Sequence, residues 1–388
     1  VEIVNISTVA VNLAGVHLAN AVDFTFGSGL LAPGQRAVIV RDLQAFASRY
    51  NTNGLFIAGV YSGQLNNQGE RIEFRDALEQ NIATFTYDNG RGWPLAAAGA
   101  GHALVPTVDG GLTGALLDYG GNWRAGTYRD GSPGLPDPPP LETVVLNEVV
   151  AHTDLSNPSY PDHDSNDAIE LFNLTALSVP LTNWYLSDTV FDLRKWAITS
   201  NAIAAGGWLA FDEITGFHNP TNIGFGLNKA GEQVLLSYLP GTAEDRVADA
   251  IRFKGQENGR SLGRFVDGDP YWATTVPTLG GANALVAPEP FISEVMFHPA
   301  PTAEHPEDNA RDEYIAVHNP TGTDVMLWNA SGPWRIAGEV DLVFPSNTTL
   351  MAGETLLLVG FDPAETNAVA SFLSVYGLSP GAIGLIGP

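Results

Sequence analysis

Apolar and polar residues alternate along most of the chain in short stretches that are separated by turn residues. Val1 to Asn5 and Ala83 to Tyr87 alternate with the two-residue period of a half-buried strand. Ala37 to Val40 is continuously apolar, as expected of an inner strand. The pattern predicts an all-β protein whose strands form sandwiches.

Two stretches lack this two-residue period and predict short helices in the connections between strands. Leu43, Phe46, Ala47 and Tyr50 have the i, i+3, i+4, i+7 spacing of one helical face. A second helix is expected within residues 363–376, at the corresponding place of a later repeat.

The order of strand segments repeats along the chain. A leading strand, Val144 to Val150, precedes Ala168 to Asn173, and the same order returns at Phe291 to Met296 and Glu313 to Asn319. Val1 to Asn5 repeats only the second of these segments. We therefore predict three modules: residues 1–137, which lack the first strand, residues 143–284, which are complete, and residues 290–388, which are truncated at their end.

Proline-rich segments separate the predicted modules, at residues 132–140 and 287–290. Proline lacks a backbone N–H and does not fit a central strand. Because half a sandwich exposes apolar edges, we expect the chain to be a segment of a longer polypeptide. The alternative is that the third module borrows strands from a partner.

Composition supports this reading and excludes several functions. The chain of 388 residues has 16% charged residues, 42 Gly and 26 Pro, a balance typical of many short strands joined by turns. Lys and Arg number 18 against 43 Asp and Glu, a net charge of −25, which argues against nucleic-acid binding. No cysteine is present, so disulfides and thiolate chemistry are excluded. No apolar run approaches the roughly 20 residues of a membrane span.

An acidic loop after the leading strand of the second module is the best candidate for a metal site. Asp162, Asp164 and Asn166 have the one-three-five spacing of a calcium loop, and Ca²⁺ takes six to eight oxygen ligands. Asp167 follows at the position where such a loop needs glycine, and Asn173 stands where it needs a bidentate glutamate. A Ca²⁺ ion bound by Asp162, Asp164, Asn166 and Asp167 is therefore one interpretation. A solvated, turn-forming loop is the other.

Two acid and histidine pairs share one spacing. Glu148 with His152 and Glu294 with His298 are four residues apart and lie on one face of a strand. No third suitable group recurs with either pair, and no Gly-x-Ser-x-Gly motif occurs. We therefore expect no catalytic site.

The second module contains four tryptophans that would suit a platform for sugar rings: Trp184, Trp196, Trp208 and Trp272. Trp184 and Trp208 lie in strand patterns, so we expect them to pack in the core. Trp93 and Trp123 lie in turn-rich segments and are better candidates for exposure.

Taken in order, these motifs resemble the lamin-tail domain family in the form found in large bacterial secreted proteins. They include Asn147-Glu-Val149, Ile169-Glu-Leu-Phe-Asn173, Leu181-Thr-Asn-Trp-Tyr-Leu-Ser-Asp188 and Gly259-Arg-Ser-Leu-Gly-Arg264 followed by Trp272. The second module matches over nearly its full length. Departures are Ala168 in place of a common Trp, Ala316 in place of a Glu, and Leu279-Gly-Gly-Ala-Asn283 in place of a closing Thr-Pro-Gly.

The resemblance implies an immunoglobulin-like β-sandwich that serves as a binding or structural module of an extracellular or cell-surface protein. We expect a non-catalytic array with a structural or adhesive role. Its expected partners are other domains of the same polypeptide, and a surface protein or a glycan is a further candidate. The alternative is a carbohydrate-binding portion of a secreted hydrolase whose catalytic domain lies outside these residues.

Overall fold

The chain folds into strands that form many sheets. The computed structural model describes residues 1–90, 92–108, 110–112, 114–151, 167–218, 224–287, 289–302, 306, 309–329, 332–338 and 340–387. Two compact units divide the chain, unit 1 at Val1–Val286 and unit 2 at Ala287–Pro388. The architecture is all-β and sandwich-like, as the alternating pattern predicted.

Two α-helices interrupt the strands of the described residues. They are α1 (Leu43–Arg49) and α2 (Thr366–Val375), which confirms both predicted helices. The Asp42 side chain begins α1 by accepting a hydrogen bond from the Ala45 N–H at 2.8 Å. Within the described part of the chain, no helix combines the length and the apolar character that a membrane crossing requires.

The first part of unit 1 is built around one apolar core. Its strands are β1 (Glu2–Val4), β2 (Val11–Asn12), β3 (His17–Asn20), β4 (Val22–Thr25), β5 (Leu30–Leu31), β6 (Arg36–Val40), β7 (Ile57–Val60), β8 (Ser62–Gly63), β9 (Gly69–Arg75), β10 (Asn81–Asp88), β11 (His102–Pro106) and β12 (Trp123–Arg129). They form the sheets β1-β6-β7, β10-β9-β3-β4-β8, β11-β12 and β2-β5. Leu18, Val22 and Ile39 are buried in the core between them.

The second part of unit 1 contains the largest sheet. Its strands are β13 (Val144–Val150), β14 (Ala168–Asn173), β15 (Val179–Pro180), β16 (Trp184–Ser187), β17 (Trp196–Ala197), β18 (Ala202–Ile203), β19 (Trp208–Asp212), β20 (Gln233–Tyr238), β21 (Arg246–Arg252), β22 (Ser261–Arg264), β23 (Trp272–Val276) and β24 (Ala284–Leu285). They form the sheets β19-β14-β13-β22-β23-β24, β17-β16-β20-β21 and β15-β18.

The alternation of side chains between the two faces of each strand explains which residues form the core of the second part of unit 1. Leu146 on β13 and Leu171 on β14 belong to the same fully buried cluster as Leu186 on β16 and Leu236 on β20. The six-stranded and four-stranded sheets therefore supply facing apolar side chains, as in a sandwich. Leu235, one residue earlier on β20, points to the opposite face of its sheet.

That opposite face joins the two parts of unit 1. Leu235 and Leu239 pack in one buried cluster with Leu95 and Ala100 from the first part. His102 adds hydrogen bonds, because its Nδ1 lies 2.6 Å from the Gly126 carbonyl oxygen and its Nε2 accepts the Val247 N–H at 2.9 Å. This pairing requires a neutral imidazole that donates from Nδ1 and accepts at Nε2.

Unit 2 is a smaller arrangement of strands with α2. Its strands are β25 (Phe291–Met296), β26 (Tyr314–His318), β27 (Val325–Met326), β28 (Trp328–Asn329), β29 (Gly332–Pro333), β30 (Arg335–Ile336), β31 (Leu342–Val343), β32 (Thr349–Leu350), β33 (Thr355–Val359) and β34 (Gly384–Ile386). They form the sheets β25-β26-β33-β34, β27-β32, β28-β29 and β30-β31. Phe372 on α2 packs against Ala316 and Leu357 of the four-stranded sheet.

One set of asparagine contacts recurs in all three predicted modules. Asn5, Asn173 and Asn319 each end the segment that repeats in sequence, and all three are buried. Each amide oxygen accepts a backbone N–H two residues later, from Ser7, Thr175 and Thr321, at 2.9–3.0 Å. Each amide nitrogen donates to the carbonyl four residues later and to a carbonyl at the counterpart of β5: Val9 and Leu31, Leu177 and Ile203, Thr323 and Leu350. These three equivalent sets of asparagine hydrogen bonds agree with three modules. The modules and their boundaries stay a prediction.

The contact of His102 across unit 1 makes its stability depend on pH. Burial lowers the pKa of His102, with Arg129 acting in the same direction and Asp130 and Asp137 opposing it. The unfolded imidazole therefore takes up a proton before the folded one does, and the stabilisation is lost as pH falls below the ordinary value of about 6.5.

We expect His102→Phe to lower the free energy of unfolding of unit 1 by about 1–3 kcal/mol at neutral pH, because the Val247 N–H and the Gly126 carbonyl lose their partner. The variant should also lose less stability than the wild type between about pH 7.5 and about pH 5. Urea unfolding at both pH values measures this, with the exposed His298→Phe as control. Identical pH profiles for His102→Phe and the wild type would contradict the assignment.

Candidate functional site

Most of the predicted calcium site lies outside the described residues. This holds for Asp162, Asp164 and Asn166, and also for His152. Asp167 is described and buried, and its Oδ2 accepts a short hydrogen bond from the Leu227 N–H. Its backbone carbonyl accepts the Glu213 N–H at 2.9 Å. Asp167 thus ties the start of β14 to two other segments, whether or not an ion binds beside it.

Two further ionisable groups lie close to Asp167. His218 Nδ1 is 3.2 Å from Glu213 Oε2, and Glu213 is buried. A Cβ atom placed on Gly226 would lie 3.3 Å from the His218 nitrogen and 3.5 Å from Asp167 Oδ2. Gly226 therefore allows the backbone to pass close to this group. Among the described residues, no three acidic or histidine side chains form a set that could hold a metal ion, so calcium binding stays a prediction.

The strongest concentration of buried polar groups is elsewhere, on the six-stranded sheet. Glu148 on β13 lies directly opposite Glu170 on β14, and both side chains are fully buried. Glu148 accepts hydrogen bonds from Ser261 Oγ at 2.6 Å and from the Thr278 N–H at 3.1 Å. Each carboxylate is therefore enclosed by the protein and supplied with donors.

A single loop seals this pair. We call Thr278–Asn283 the closing loop of the second part of unit 1. Its Gly280 N–H donates to Glu170 Oε2 at 2.5 Å. Its Asn283 amide donates to the carbonyl oxygens of Asn147 at 3.0 Å and Arg264 at 2.8 Å. The loop thus connects β13, β14 and β22 through side chains and backbone.

Burial changes the proton affinity of both carboxyls. It raises the pKa of Glu170 to about 7, although the hydrogen bonds from Asn147 and Gly280 act in the opposite direction. Burial also raises the pKa of Glu148, against the donors Ser261 and Thr278. A raised carboxyl pKa is found at many active sites. Here the donors are the closing loop and neighbouring strands, so the arrangement holds strands together.

The same contacts recur in the first part of unit 1. The Gly134 N–H donates to Glu2 Oε2 at 2.6 Å, as Gly280 does to Glu170. Ser132 Oγ donates to Asp137 Oδ1 at 3.1 Å, as Thr278 does to Asn283. Residues 132–137 therefore form the corresponding closing loop. The sequence carried this signal as Ser132-Pro-Gly134 and Thr278-Leu-Gly280, each three residues before an Asp or Asn. Residues 132–140 were expected to separate two modules, whereas residues 132–137 bond to β1 and β12.

Unit 2 differs at the corresponding positions. Ala316 stands where β14 has Glu170, so the carboxylate of the closing contact is missing. Glu294 and His298 are both exposed, whereas Glu148 is buried. Burial, together with a hydrogen bond to Glu294, raises the pKa of Tyr314 to about 12. The shared Glu and His spacing therefore does not give the two glutamates the same surroundings.

The tryptophans divide between core and surface. Trp184 and Trp196 are buried, as expected for Trp184, whereas Trp208 is only half-buried. Trp93 and Trp123, which were expected to be exposed, are half-buried and stack at 6.2 Å between ring centroids. The Trp123 indole N–H also donates to the Leu117 carbonyl at 2.9 Å. These two rings support each other instead of standing free in solvent.

Replacing Glu170 tests the role of the closing loop. Glu170→Ala removes the acceptor of the Gly280 N–H and one of the two acceptors of the Asn147 amide, which also donates to Asp267. The loss should lower the unfolding free energy by about 1–3 kcal/mol. Glu2→Ala is the matched control, because the Glu2 carboxylate is partly exposed and water can replace it. Urea unfolding should show the larger loss for Glu170→Ala. Equal losses would contradict the sealing role.

The raised pKa of Glu170 also predicts that the stability of unit 1 depends on pH. The folded pKa of about 7 is above the ordinary value, so the folded state holds a proton that the unfolded state has released. This stabilisation is complete below the ordinary carboxyl pKa and is lost as pH rises through about 7. We expect wild-type stability to fall relative to Glu170→Gln between about pH 4.5 and about pH 7.5 in thermal unfolding. Parallel curves over that range would contradict it.

Comparison with known proteins gives no match to this chain. No family model matches the chain, and neither a curated protein nor a solved structure does. The resemblance to lamin-tail domains therefore stays a prediction from sequence motifs. Any proposal of function therefore depends on the hydrogen bonds and the burial of the described residues.

Proposed function

We propose that the chain is a non-catalytic array of structural or adhesive modules in a larger secreted or cell-surface bacterial protein. Lamin-tail-like, immunoglobulin-like sandwiches are the modules we infer. Support comes from the carboxylates with raised pKa values, which serve strand contacts, and from the surface of unit 2. The bacterial, extracellular setting rests on the motif resemblance.

The exposed leading strand of unit 2 carries the proposal. Every residue of its counterpart β13 is buried. On β25, Phe291, Ile292 and Val295 are 50%, 49% and 51% exposed. Within the described residues β25 pairs only with β26. Among these residues, the other edge of β25 has no strand partner, and apolar side chains lie beside it.

Such an edge suits binding by strand addition. Backbone N–H and C=O groups supply affinity, and alternate side chains supply specificity. Natural proteins usually protect exposed apolar edges with charges or prolines. On β25 only Glu294 provides a charge. The surface is thus suited to contact another polypeptide, such as a neighbouring domain or a surface protein.

Charge placed on β25 tests this role. We expect the full chain to associate with itself as its concentration rises, because the free apolar edge can pair in trans. Val295→Lys should shift the dissociation constant upward by about tenfold or more, as one or two kcal/mol of contact energy are lost. Sedimentation velocity over a concentration series measures this.

The control is Val375→Lys, since Val375 is equally exposed, at 51%, but lies on α2. It should leave association unchanged. A wild-type chain that stays monomeric at high concentration would contradict the use of β25 in self-association. Equal effects of the two lysines would show that net charge, not the strand edge, controls association.

A second candidate function is carbohydrate targeting for a secreted hydrolase. The observation that favours it is an aromatic group on the first part of unit 1. Trp123 stacks with Trp93 and lies 5.0 Å from Phe85 between ring centroids. Tyr119, four residues before Trp123 in the chain, is 67% exposed. Aromatic faces of this kind offer flat apolar surface with a polar tip on tyrosine.

Glycan binding by the wild type and two variants distinguishes this candidate. Tyr119→Ala should abolish binding on a glycan array if these rings hold sugars. Tyr271→Ala is the matched control, because Tyr271 is 75% exposed and lies outside this aromatic group. No glycan bound by the wild type, or equal binding by both variants, would remove the carbohydrate candidate.

A further inference from the structure

Three asparagines of the chain are followed directly by glycine: Asn53, Asn89 and Asn258. Such an asparagine can modify itself, because the backbone nitrogen of the next residue can attack the side-chain amide carbon. Glycine hinders that approach least, since it has no Cβ. Asn53 and Asn258 are exposed together with their glycines. Asn89 and Gly90 are half-buried, and the Gly90 N–H donates to Asp88 Oδ1 at 2.6 Å, so its nitrogen is less free to attack.

The two exposed asparagines occupy the same place in similar turns. The Leu55 N–H donates to the Thr52 carbonyl at 3.2 Å, and the Arg260 N–H donates to the Glu257 carbonyl at 3.0 Å. Each asparagine is thus the second residue of a four-residue turn. The glycine that follows has a positive φ, +81° in the first turn and +77° in the second, which favours glycine at the third position. Local backbone geometry is therefore similar at the two sites.

A lysine contact distinguishes Asn258 from Asn53. Lys229 Nζ donates to Asn258 Oδ1 at 2.6 Å. Within the described part of the chain, no charged donor bonds to the Asn53 side chain. A hydrogen bond from an ammonium group draws electrons from the carbonyl and makes the amide carbon easier to attack. It also stabilises the negative charge that the oxygen carries after the attack.

The backbone holds Lys229 beside this turn. The Gln256 N–H donates to the Lys229 carbonyl at 3.0 Å. Gln256 is held in turn, because its Oε1 accepts the N–H of Ala151, just after β13, at 3.0 Å. Lys229 is half-buried, so the protein confines part of its side chain. Tertiary structure therefore keeps the ammonium group near Asn258, although the two residues are 29 apart in sequence.

We propose that Asn258 is a site of spontaneous deamidation and that Lys229 accelerates the reaction. The Gly259 nitrogen attacks Asn258 Cγ and gives its proton to water as the new C–N bond forms. The Lys229 ammonium group stabilises the charge on Oδ1. The bond between Cγ and the side-chain nitrogen then breaks, and that nitrogen takes up a proton and leaves as ammonia. The product of this step is a five-membered succinimide.

Water completes the modification. It opens the succinimide at one of its two carbonyl carbons and gives aspartate or isoaspartate at position 258. One water is consumed, one ammonia is released, and no electron is transferred. The new carboxylate faces Lys229, so a charged acceptor replaces a neutral one. Isoaspartate also adds one main-chain carbon to the turn that precedes β22. The inference goes beyond the proposed function and does not depend on it.

Deamidation rates at the three asparagines test the proposal on the full chain. The chain is incubated in mildly alkaline buffer, sampled over time and digested, and the peptides are separated and weighed. We expect Asn258 to react roughly three- to tenfold faster than Asn53, less than the about hundredfold effect of an enclosed oxyanion donor, because water screens Lys229. Asn89 should react slowest. In urea, where Lys229 is no longer held nearby, the ratio of the rates at Asn258 and Asn53 should approach one.

Replacing the lysine isolates its contribution. Lys229→Met removes the donor and should lower the rate at Asn258 to that at Asn53, which should itself stay unchanged. Lys229→Arg keeps a charged donor and should retain most of the acceleration. Lys254→Met is the matched control, because Lys254 is exposed on the same segment as Asn258, and it should change neither rate. If Lys229→Met fails to fold, the comparison of buffer with urea gives the same test on the wild-type chain.

Three outcomes would overturn the proposal. They are a reaction at Asn258 no faster than at Asn53 in the folded wild type, the same ratio of rates in buffer and in urea, and equal effects of Lys229→Met and Lys254→Met. None of these results bears on association through β25, which sedimentation measures separately.

Discussion

A central strand of a sheet must satisfy its backbone groups on both edges, and this requirement organises the second part of unit 1. β13 meets it with β14 and β22, so all seven of its residues are buried. A buried N–H or C=O group without a partner is costly. The leading strand therefore decides which surfaces of a module are closed and which are open.

The burial of polar groups in the second part of unit 1 follows from the position of β13 between two strands. Glu148 and Glu170 are buried because they lie opposite each other on paired central strands. The closing loop supplies their donors, and the raised pKa of Glu170 is the electrostatic consequence of that burial. Within the described part of unit 2, β25 pairs only with β26, and its Glu294 is exposed beside exposed apolar residues.

The two parts of unit 1 are coupled by a second device. Leu235 and Leu239 bury one face of the four-stranded sheet against Leu95 and Ala100. His102 completes the contact as a neutral acceptor. The two parts of unit 1 therefore share an apolar interface, and removing either part would expose apolar surface of the other.

The sequence by itself determined the all-β class and both helices, because periodicity and turn residues act locally. It also placed Trp184 in the core. It could not locate the closing loops, since Gly134 and Gly280 bond to glutamates more than a hundred residues away in sequence.

Tertiary structure decided which of the glutamates are buried. Glu148 and Glu294 have nearly the same local sequence, yet one is enclosed and the other is exposed. The half-buried stacking of Trp93 and Trp123 likewise depends on rings brought together from distant turns. Local sequence sets which face of a strand a side chain occupies, whereas the strands that cover that face come from elsewhere in the chain. That is why the fold class was predictable and the surroundings of the candidate site were not.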